Sequence, residues 1–384
     1  MTRIRRALPV LGSLQGYIAL LLIVAIGVWT KGSQFADVDN ITNAVGYFAP
    51  RGILAIGMTL VIITAGIDLS VGSLLAVGGT TSALLLTDFS MSPVLIVPIC
   101  MVVCGVFGFV NGAGTALLRI QSFVMTLAMM TIARGIVREV SNNTSIGTTL
   151  IDAQGTVLPA SRAFQQLATP GNNVLVGVPL PFIGSDGVYF PVLALVVVAI
   201  VFQVVLSKTK FGRHIYAVGG NPTAARLSGV NVTLVTIAVF TIAGVLAGIA
   251  GPINAAYNAS ADPQAGLGYE LDAIAAVVIG GASLAGGRGS VVGTFVGALI
   301  LTLLDNVLGL NNVSANWQMI IKGLIVVVAV VIQRPDLFAG LRDRFTRRPG
   351  GGADARPAHP PEIASPAGPL DHTLTHQPLT KESQ

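Results

Sequence analysis

Ten apolar runs, each close to the length of a membrane-crossing helix, most strongly constrain how this chain folds. A helix needs about 20 predominantly apolar residues to cross the hydrocarbon core of a bilayer. Of the 384 residues, 53% are hydrophobic and 10% are charged, whereas soluble domains carry about 25% charged residues. The sequence therefore predicts an all-α, polytopic membrane protein with about ten transmembrane helices, at 14–30, 44–65, 72–88, 93–117, 122–140, 189–207, 232–252, 271–282, 290–309 and 317–333.

The 45 glycines are scattered through these runs, which indicates that some helices are discontinuous or closely packed. The run at 271–282 is too short to cross a bilayer alone. Two interpretations stay open for it: the run borrows flanking residues, or it is a half-helix that ends inside the protein. Cys100 and Cys104 lie four residues apart in one apolar run, which matches no disulfide, redox or zinc pattern. We expect both to be packing residues.

The basic residues predict the orientation of the helices. An even number of spans places both termini on one side, and cytoplasmic loops carry an excess of Lys and Arg. A cytoplasmic N-terminus puts all but six of the 22 basic residues on the inner side. We therefore expect a cytoplasmic segment at 1–13, a transmembrane domain at 14–333 with an outer loop at 141–188, and a cytoplasmic, mostly disordered tail at 334–384.

The inner loop at 208–231 carries the signals of a short, capped helix. Asn221 is a good N-cap, Pro222 suits the first helical position, Thr223 to Ser228 can be helical, and Gly229 is a natural residue to follow a helix end. Two interpretations stay open: insertion into a groove of a partner protein, or a helix lying on the membrane surface. The predicted helix has a small apolar face, formed by Ala224, Ala225 and Leu227, and Arg226 lies beside this face.

Asp68 interrupts an otherwise apolar region from Ile53 to Leu86. A carboxylate at the centre of an isolated span costs about 2.5–3.5 kcal/mol on insertion scales, so Asp68 should face protein, a cavity or the inner interface rather than lipid. Asp68 or Ser70 can cap the next helix, or the region can line a transport path, and the two roles can coincide. The candidate residues for a path or gate are Asp68, Ser70, Ser73 and Asn111.

Two further acidic residues, Glu270 and Asp272, lie at the N-terminal end of the predicted short helix. The helix macrodipole favours anions at this end. The glycine-rich stretch at 280–289 that follows predicts a tight inner turn or an unwound segment, with Arg288 as its only charge.

Several function classes lack the residues that they need. The chain has no Walker A loop, no H-E-x-x-H and no G-x-S-x-G sequence. The tail histidines match no ligand spacing, so we expect no metal site. No pair of acidic residues is evident within the spans, which disfavours a secondary transporter. The net charge of +5 follows from the orientation and requires no nucleic-acid partner.

Five sequence blocks follow one another through the chain: GMTLVIITAGIDLSVGSLLAVGG (57–79), FVMTLAMMTIARG (123–135), FGRHIYAVGGNPTAARLSGVNV (211–232), GYELDAIAAVVIGGASLAGGRGSVVGTFVGALI (268–300) and NWQMIIKGLIVVVAV (316–330). In this order they resemble the permease subunits of bacterial ABC importers for carbohydrates, the ribose-type group. The resemblance covers essentially residues 14–333. The loop at 141–188 and the tail beyond Arg348 depart from it.

The resemblance implies a permease fold like that of type II importers, in the bacterial inner membrane. It implies a homodimer, or a heterodimer with a similar permease, together with two cytoplasmic ATP-binding domains and a periplasmic sugar-binding protein. ATP and Mg would bind to the ATPase partner, so the resemblance implies no cofactor and no enzyme activity in this chain. By the same resemblance, Asn221 to Gly229 becomes the coupling helix, and Glu270 and Asp272 become candidate docking residues on the outer face.

The function that follows is the translocation path of an ATP-driven importer of a pentose or hexose. Alternatives are a permease for a non-sugar, such as a signalling furanone or a branched-chain amino acid, and an ATP-independent channel or secondary transporter. A membrane enzyme for a lipid-linked sugar is a third class, for which no catalytic acid cluster is visible. The capped inner helix would have no purpose in a channel. Substrate choice is expected to lie in the separate binding protein.

Overall fold

Helices make up most of the chain that the computed structural model describes, which comprises residues 2–168, 173–174 and 188–332, with side chains at 16–168 and 189–331. In chain order they are α1 (Thr2–Lys31), α2 (Val38–Ile63), α3 (Val71–Phe89), α4 (Pro93–Ala116), α5 (Ser122–Val140), α6 (Pro159–Gln165), α7 (Phe190–Lys208), α8 (Lys210–Gly220), α9 (Pro222–Leu227), α10 (Val232–Tyr257), α11 (Tyr269–Ile279), α12 (Val291–Leu310) and α13 (Ala315–Ile332).

Each of the ten predicted apolar runs coincides with a helix. Within the described residues, six helices are long and apolar enough to cross a membrane, and they are α2, α3, α4, α7, α10 and α12. The apolar stretches Gly16–Lys31 of α1 and Ala315–Val331 of α13 are shorter. Helix α11 has 11 residues, or about 16 Å at 1.5 Å per residue, which is about half of a bilayer core. The protein is thus a polytopic helical membrane protein, and the short run forms a half-helix.

The core of the bundle lies around α2 and α10. Every residue of α2 from Gly52 to Ile63 is buried, and α10 packs against α2, α3 and α4. Helices α4 and α10 come so close that a Cβ atom on Gly244 would overlap the carbonyl oxygen of Cys104, an approach that small residues permit in membrane helices. Cys100 and Cys104 are free and fully buried beside this contact, which confirms that they are packing residues.

The described part of the predicted outer loop is ordered and packs on one end of the bundle. Strand β1 (Ile146–Gly147) pairs antiparallel with β4 (Ser260–Ala261), and the side chain of Phe164 in α6 is fully buried. A second pair joins β2 (Asn173–Val174) and β3 (Val188–Tyr189). Most of the apolar stretch 174–183 and the whole predicted tail at 334–384 lie outside the described residues.

Two irregular segments enter the bundle and end where α3 and α11 begin. Gly72, in the first turn of α3, touches Gly266, just before α11, so closely that neither position has room for a Cβ atom. Arg134 of α5 donates hydrogen bonds to the carbonyl oxygens of Pro263 and Ala265 at 2.7 and 2.8 Å. Irregular backbone at membrane depth is tolerated where protein buries it or a cavity adjoins it. The two breaks therefore mark the part of the bundle where a transport site is expected.

Candidate functional site

Helices α8 and α9 are two consecutive short helices between α7 and α10. Asn221 ends α8 and caps α9, because its Oδ1 accepts a hydrogen bond from the backbone N–H of Ala224 at 2.9 Å. Gly229 has φ +85°, a left-handed conformation that glycine adopts without strain. Val230 then donates its N–H to the carbonyl oxygen of Ala225 at 3.0 Å and closes the helix end. The predicted capped helix is therefore present as α9.

Three of the four residues predicted to form the partner-facing surface of α9 are exposed, and one is buried. Leu227 is 86% exposed, and Ala224 and Arg226 are exposed beside it. Ala225 is only 5% exposed, since its side chain packs into the protein's own core. The placement of Ala225 on the exposed face is wrong, and Leu227 is the main apolar group that α9 offers to a partner.

Helix α8 is fixed to the end of α2 and to the segment that follows α11. The Tyr216 hydroxyl donates a hydrogen bond to the carbonyl oxygen of Gly289 at 2.8 Å, and burial raises the pKa of Tyr216 above its usual value. Gly287 donates its N–H to the carbonyl oxygen of Ile63 at 2.8 Å. Gly219 lies directly against that same oxygen, with no room for a side chain.

The predicted path residues Asp68, Ser70 and Asn111 form one fully buried group. The Oδ1 atom of Asp68 accepts hydrogen bonds from the backbone N–H and the Oγ of Ser70, at 2.8 and 2.6 Å. Asn111, on α4, donates from Nδ2 to the Oγ of Ser70 at 2.9 Å. Asp68 thus accepts from the backbone N–H of Ser70, the residue before α3, and the Ser70 side chain makes no capping hydrogen bond. The capping role of either residue stays a prediction. Ser73 is also buried, in the first turn of α3.

Two acceptor atoms of this buried group have no hydrogen-bond partner among the described residues, Oδ2 of Asp68 and Oδ1 of Asn111. Asp68 also forms no ion pair within that part of the chain. A hydroxyl group or a water molecule is the kind of donor that would satisfy both atoms.

The irregular segment that carries Asp68 is tied to α5 by two side chains. Ile67 donates its N–H to the Oγ of Ser122 at 3.2 Å, and Leu69 donates its N–H to the Oγ1 of Thr126 at 3.1 Å. Thr126 donates in turn to the carbonyl oxygen of Ile67 at 3.1 Å. These bonds pair backbone N–H and C=O groups that lie outside any helix. The break before α3 is therefore stabilised by specific hydrogen bonds.

Four charged side chains from four helices meet in a second polar group, here named the charged cluster: Arg51 of α2, Asp272 of α11, Asp305 of α12 and Lys322 of α13. Arg51 Nη1 lies 2.9 Å from Asp305 Oδ2. Lys322 Nζ lies 3.2 Å from the Asp272 carboxylate and 3.5 Å from Asp305 Oδ2. The Arg51 guanidinium also lies over the ring of Tyr269, 4.6 Å from its centroid.

The charged cluster was not predicted from the sequence. No acidic pair was evident within the spans, although Asp305 and Asp272 both contact Lys322. The available signal was the presence of Arg51, Asp305 and Lys322 inside apolar runs, because membrane charges are rarely left without a partner.

The two candidate docking residues have partners within the chain. Asp272 belongs to the charged cluster, and Oε1 of Glu270 accepts a hydrogen bond from the N–H of Gly268 at 3.3 Å. Both side chains are half-buried, and their docking role stays a prediction. Within the described residues, no group of three or more His, Cys, Asp or Glu side chains is arranged to hold a metal ion.

Residues 40–330 match a family described as the permease component of the branched-chain amino acid transport system. The chain belongs to this family of transport permeases. The match covers most of the chain and includes the capped α9, the buried Asp68 group and the charged cluster.

Similarity to sugar permeases extends over most of the chain. The chain is 41% identical over 315 residues to the ribose import permease of Escherichia coli K12, which covers 82% of this chain and 91% of that protein. It is 38% identical to the ribose import permease of Bacillus subtilis, over 84% of this chain and 92% of that protein. It is 38% identical to the xylose transport permease of Haemophilus influenzae, over 83% of this chain and 96% of that protein. These comparisons confirm the resemblance to ribose-type permeases. No solved structure matches this chain.

Proposed function

We propose that this chain is the membrane permease subunit of an ATP-driven, binding-protein-dependent importer of a pentose or hexose. The observation that carries the proposal is the similarity, over more than four-fifths of the chain, to permeases named for ribose and for xylose import. The chain forms the translocation path, and ATP hydrolysis takes place on a separate subunit that holds ATP and Mg. This chain is then no enzyme and holds no cofactor.

The proposed topology has ten membrane segments, with both termini in the cytoplasm and a type II importer-like arrangement. Segment 14–333 is the membrane domain, 141–188 lies outside, and the tail at 334–384 is cytoplasmic. The asymmetry of Lys and Arg supports this orientation. The half-length α11 and the break before α3 support the view that some segments are discontinuous.

The proposed partners are a cytoplasmic ATP-binding subunit, a periplasmic sugar-binding protein and a second permease copy, all within a lipid bilayer. The segment Asn221 to Gly229 is the proposed coupling helix. Its exposed Leu227 and the neighbouring Arg226 suit a groove on the ATP-binding subunit. Glu270 and Asp272 are the proposed contacts for the binding protein. Because both lie at the start of α11, level with the middle of α2, this contact would lie at the bottom of an outward-facing opening.

The buried group Asp68, Ser70 and Asn111, with Ser73 beside it, is proposed to lie at a gate of the translocation path. It stands at the start of a broken helix, where discontinuous membrane helices commonly place transport sites. Asp68 is also proposed to order the start of α3, since its hydrogen bonds go to the backbone and side chain of Ser70.

Uptake by reconstituted vesicles tests the function. The permease, an ATP-binding subunit and a binding protein encoded beside it would be placed in proteoliposomes with labelled D-ribose, D-xylose or L-leucine. We expect ATP-dependent uptake of a sugar and none of leucine. Uptake of leucine alone would show that the substrate is a branched-chain amino acid and not a sugar. Uptake without ATP would indicate a channel or a secondary transporter.

Substitutions on α9 test the coupling role. Leu227→Asp and Arg226→Glu should leave membrane insertion intact and lower binding-protein-stimulated ATP hydrolysis at least tenfold. Thr149→Asp, which adds the same charge as Leu227→Asp at an exposed position outside the proposed coupling helix, is the control and should have little effect. Unchanged transport and unchanged binding of the ATP-binding subunit in both α9 variants would contradict the proposal.

Cysteine labelling tests the topology. A cysteine replacing the exposed Thr149 should react with a membrane-impermeant thiol reagent that is added to cells whose outer membrane has been made permeable. A cysteine replacing Leu227 should react only in inverted vesicles. The native Cys100 and Cys104 are fully buried and give a low background. Labelling of both positions from the same side would overturn the proposed orientation.

A further inference from the structure

The charged cluster lies deep in the helical bundle. Arg51 is near the middle of the 26-residue α2, about 18 Å from either end at 1.5 Å per residue. Asp272 is in the first turn of α11, directly after the irregular segment that enters the bundle. The cluster is therefore level with the point where the half-helix begins, at the depth where discontinuous helices commonly place transport sites.

The side chains of the charged cluster are not sealed within the protein. Their exposed fractions are 21% for Arg51, 18% for Asp305, 18% for Lys322 and 17% for Asp272. Contact between ionised groups and lipid tails costs at least several kcal/mol. The exposed edge of the cluster must therefore face water or another polar surface.

The cluster also has hydrogen-bonding capacity that the chain does not use. Within the described residues, Nε of Arg51 and Oδ1 of Asp305 are buried and have no hydrogen-bond partner, so a hydroxyl group or water would have to enter between the side chains to reach them. Two positive and two negative groups leave the cluster with no net charge, so it offers donors and acceptors together without attracting an ion of either sign. The ring of Tyr269 adds a flat apolar surface at the same place.

We propose that the charged cluster lines a water-filled part of the translocation path and contacts the solute there. The ligand class is a neutral, polyhydroxylated small molecule, whose hydroxyl groups can donate to the carboxylates and accept from Arg51 and Lys322. This inference rests on the proposed sugar import, and it assigns a contact site that is separate from the Asp68 group.

Thiol labelling during ATP-driven turnover of the complete transporter in proteoliposomes tests the inference. Lys322→Cys places a thiol in the cluster. Leu324→Cys, two residues further along α13, places one on a different face of the same helix, where Leu324 is 60% exposed. We expect a negatively charged, water-soluble thiol reagent to react at least tenfold faster at position 322, and 100 mM D-ribose to slow that reaction at least threefold.

A second variant keeps all four charges in case Lys322→Cys does not fold. Tyr269→Cys should show the same preference over Leu324→Cys and the same protection by D-ribose. The inference would be overturned if the thiol at 322 or 269 reacted no faster than the thiol at 324, as it would if a second permease copy covered the cluster. It would also be overturned if ribose did not slow the labelling in a transporter that takes up ribose. A wild-type complex that takes up no sugar would instead contradict the proposed function, whatever the labelling pattern.

Discussion

The protein contains two polar groups within an apolar bundle, and they are built in opposite ways. The Asp68 group is fully buried, contains a single ionisable side chain and is held by hydrogen bonds to Ser70. The charged cluster is partly exposed and holds four ionised side chains joined by three ion-pair contacts. One group depends on the placement of neutral donors and acceptors, whereas the other depends on the balance of charge.

This difference determines which changes each group can tolerate. A hydrogen-bonded group tolerates loss of charge, provided that the same acceptor atom remains in place. An ion-paired group tolerates it less well, because removal of one partner leaves the opposite charge partly buried without compensation. The two groups should therefore respond differently to the same Asp→Asn substitution.

The largest effect is expected for Asp305→Asn, because Asp305 contacts both Arg51 and Lys322. Breaking a fully buried ion pair costs about 3–5 kcal/mol, and these partly exposed pairs should fall toward the lower end of that range. We expect a large fall in the thermal midpoint and yield of the detergent-solubilised protein. The double variant Asp305→Asn with Lys322→Gln restores neutrality and should recover part of the loss. A single variant as stable as the wild type would show that the ion pairs contribute little.

A smaller loss is expected for Ser70→Ala, which removes hydrogen bonds to both Asp68 and Asn111. Each buried polar atom left unsatisfied costs about 1–3 kcal/mol. Ser82→Ala is the matched control, since Ser82 is a buried serine of the same helix whose hydroxyl donates to Gly79 of its own helix. Equal thermal midpoints for the two variants would argue that the Asp68 group does not stabilise the fold.

The aromatic contact of the charged cluster should have a modest effect. Tyr269→Leu removes the ring over Arg51, and cation–π contacts contribute about 0.5–2 kcal/mol. Tyr269→Phe keeps the ring and loses only the 3.4 Å hydrogen bond from Arg51, so its thermal midpoint should lie nearer to that of the wild type. The reverse order would mean that the hydroxyl, rather than the ring, holds Arg51 in place.

The smallest effect is expected for Asp68→Asn, because the amide oxygen can still accept both bonds from Ser70. Thermal stability and sugar uptake should stay close to the wild-type values. Asp68→Leu, which has no acceptor, should lose about as much stability as Ser70→Ala. Loss of uptake by Asp68→Asn in a stable, assembled transporter would show that the charge itself is needed, and the contrast with the charged cluster would fail.

The positions of the helices and the capped α9 could be predicted because their signals are local. A run of about 20 apolar residues is visible in one stretch of sequence. The N-cap, proline and terminating glycine of α9 lie within nine residues of one another, Asn221 to Gly229. The burial of Ala225 was not predictable in this way, since it depends on how α9 packs against the bundle.

The charged cluster could not be assembled from the sequence because its partners are far apart along the chain. Arg51 and Asp305 are separated by 254 positions, and Asp272 and Lys322 by 50. An acidic residue such as Asp272 at the start of a helix is already explained by the helix macrodipole. The sequence therefore gives no reason to expect that Asp272 has a partner far along the chain. Asp68 differs, because its main partner Ser70 is two residues away.

The contact between Gly219 and Ile63 has a mechanical consequence. Backbone lies directly on backbone there, with no side chain between them whose change of rotamer could absorb a small shift of α8. Arg51 lies about 12 residues, or about 18 Å, along that helix. It directly follows Pro50, which lacks an N–H and weakens a helix at that point. Residues 51–63 of α2 thus connect the contact with α8 at one end to the four charges at the other.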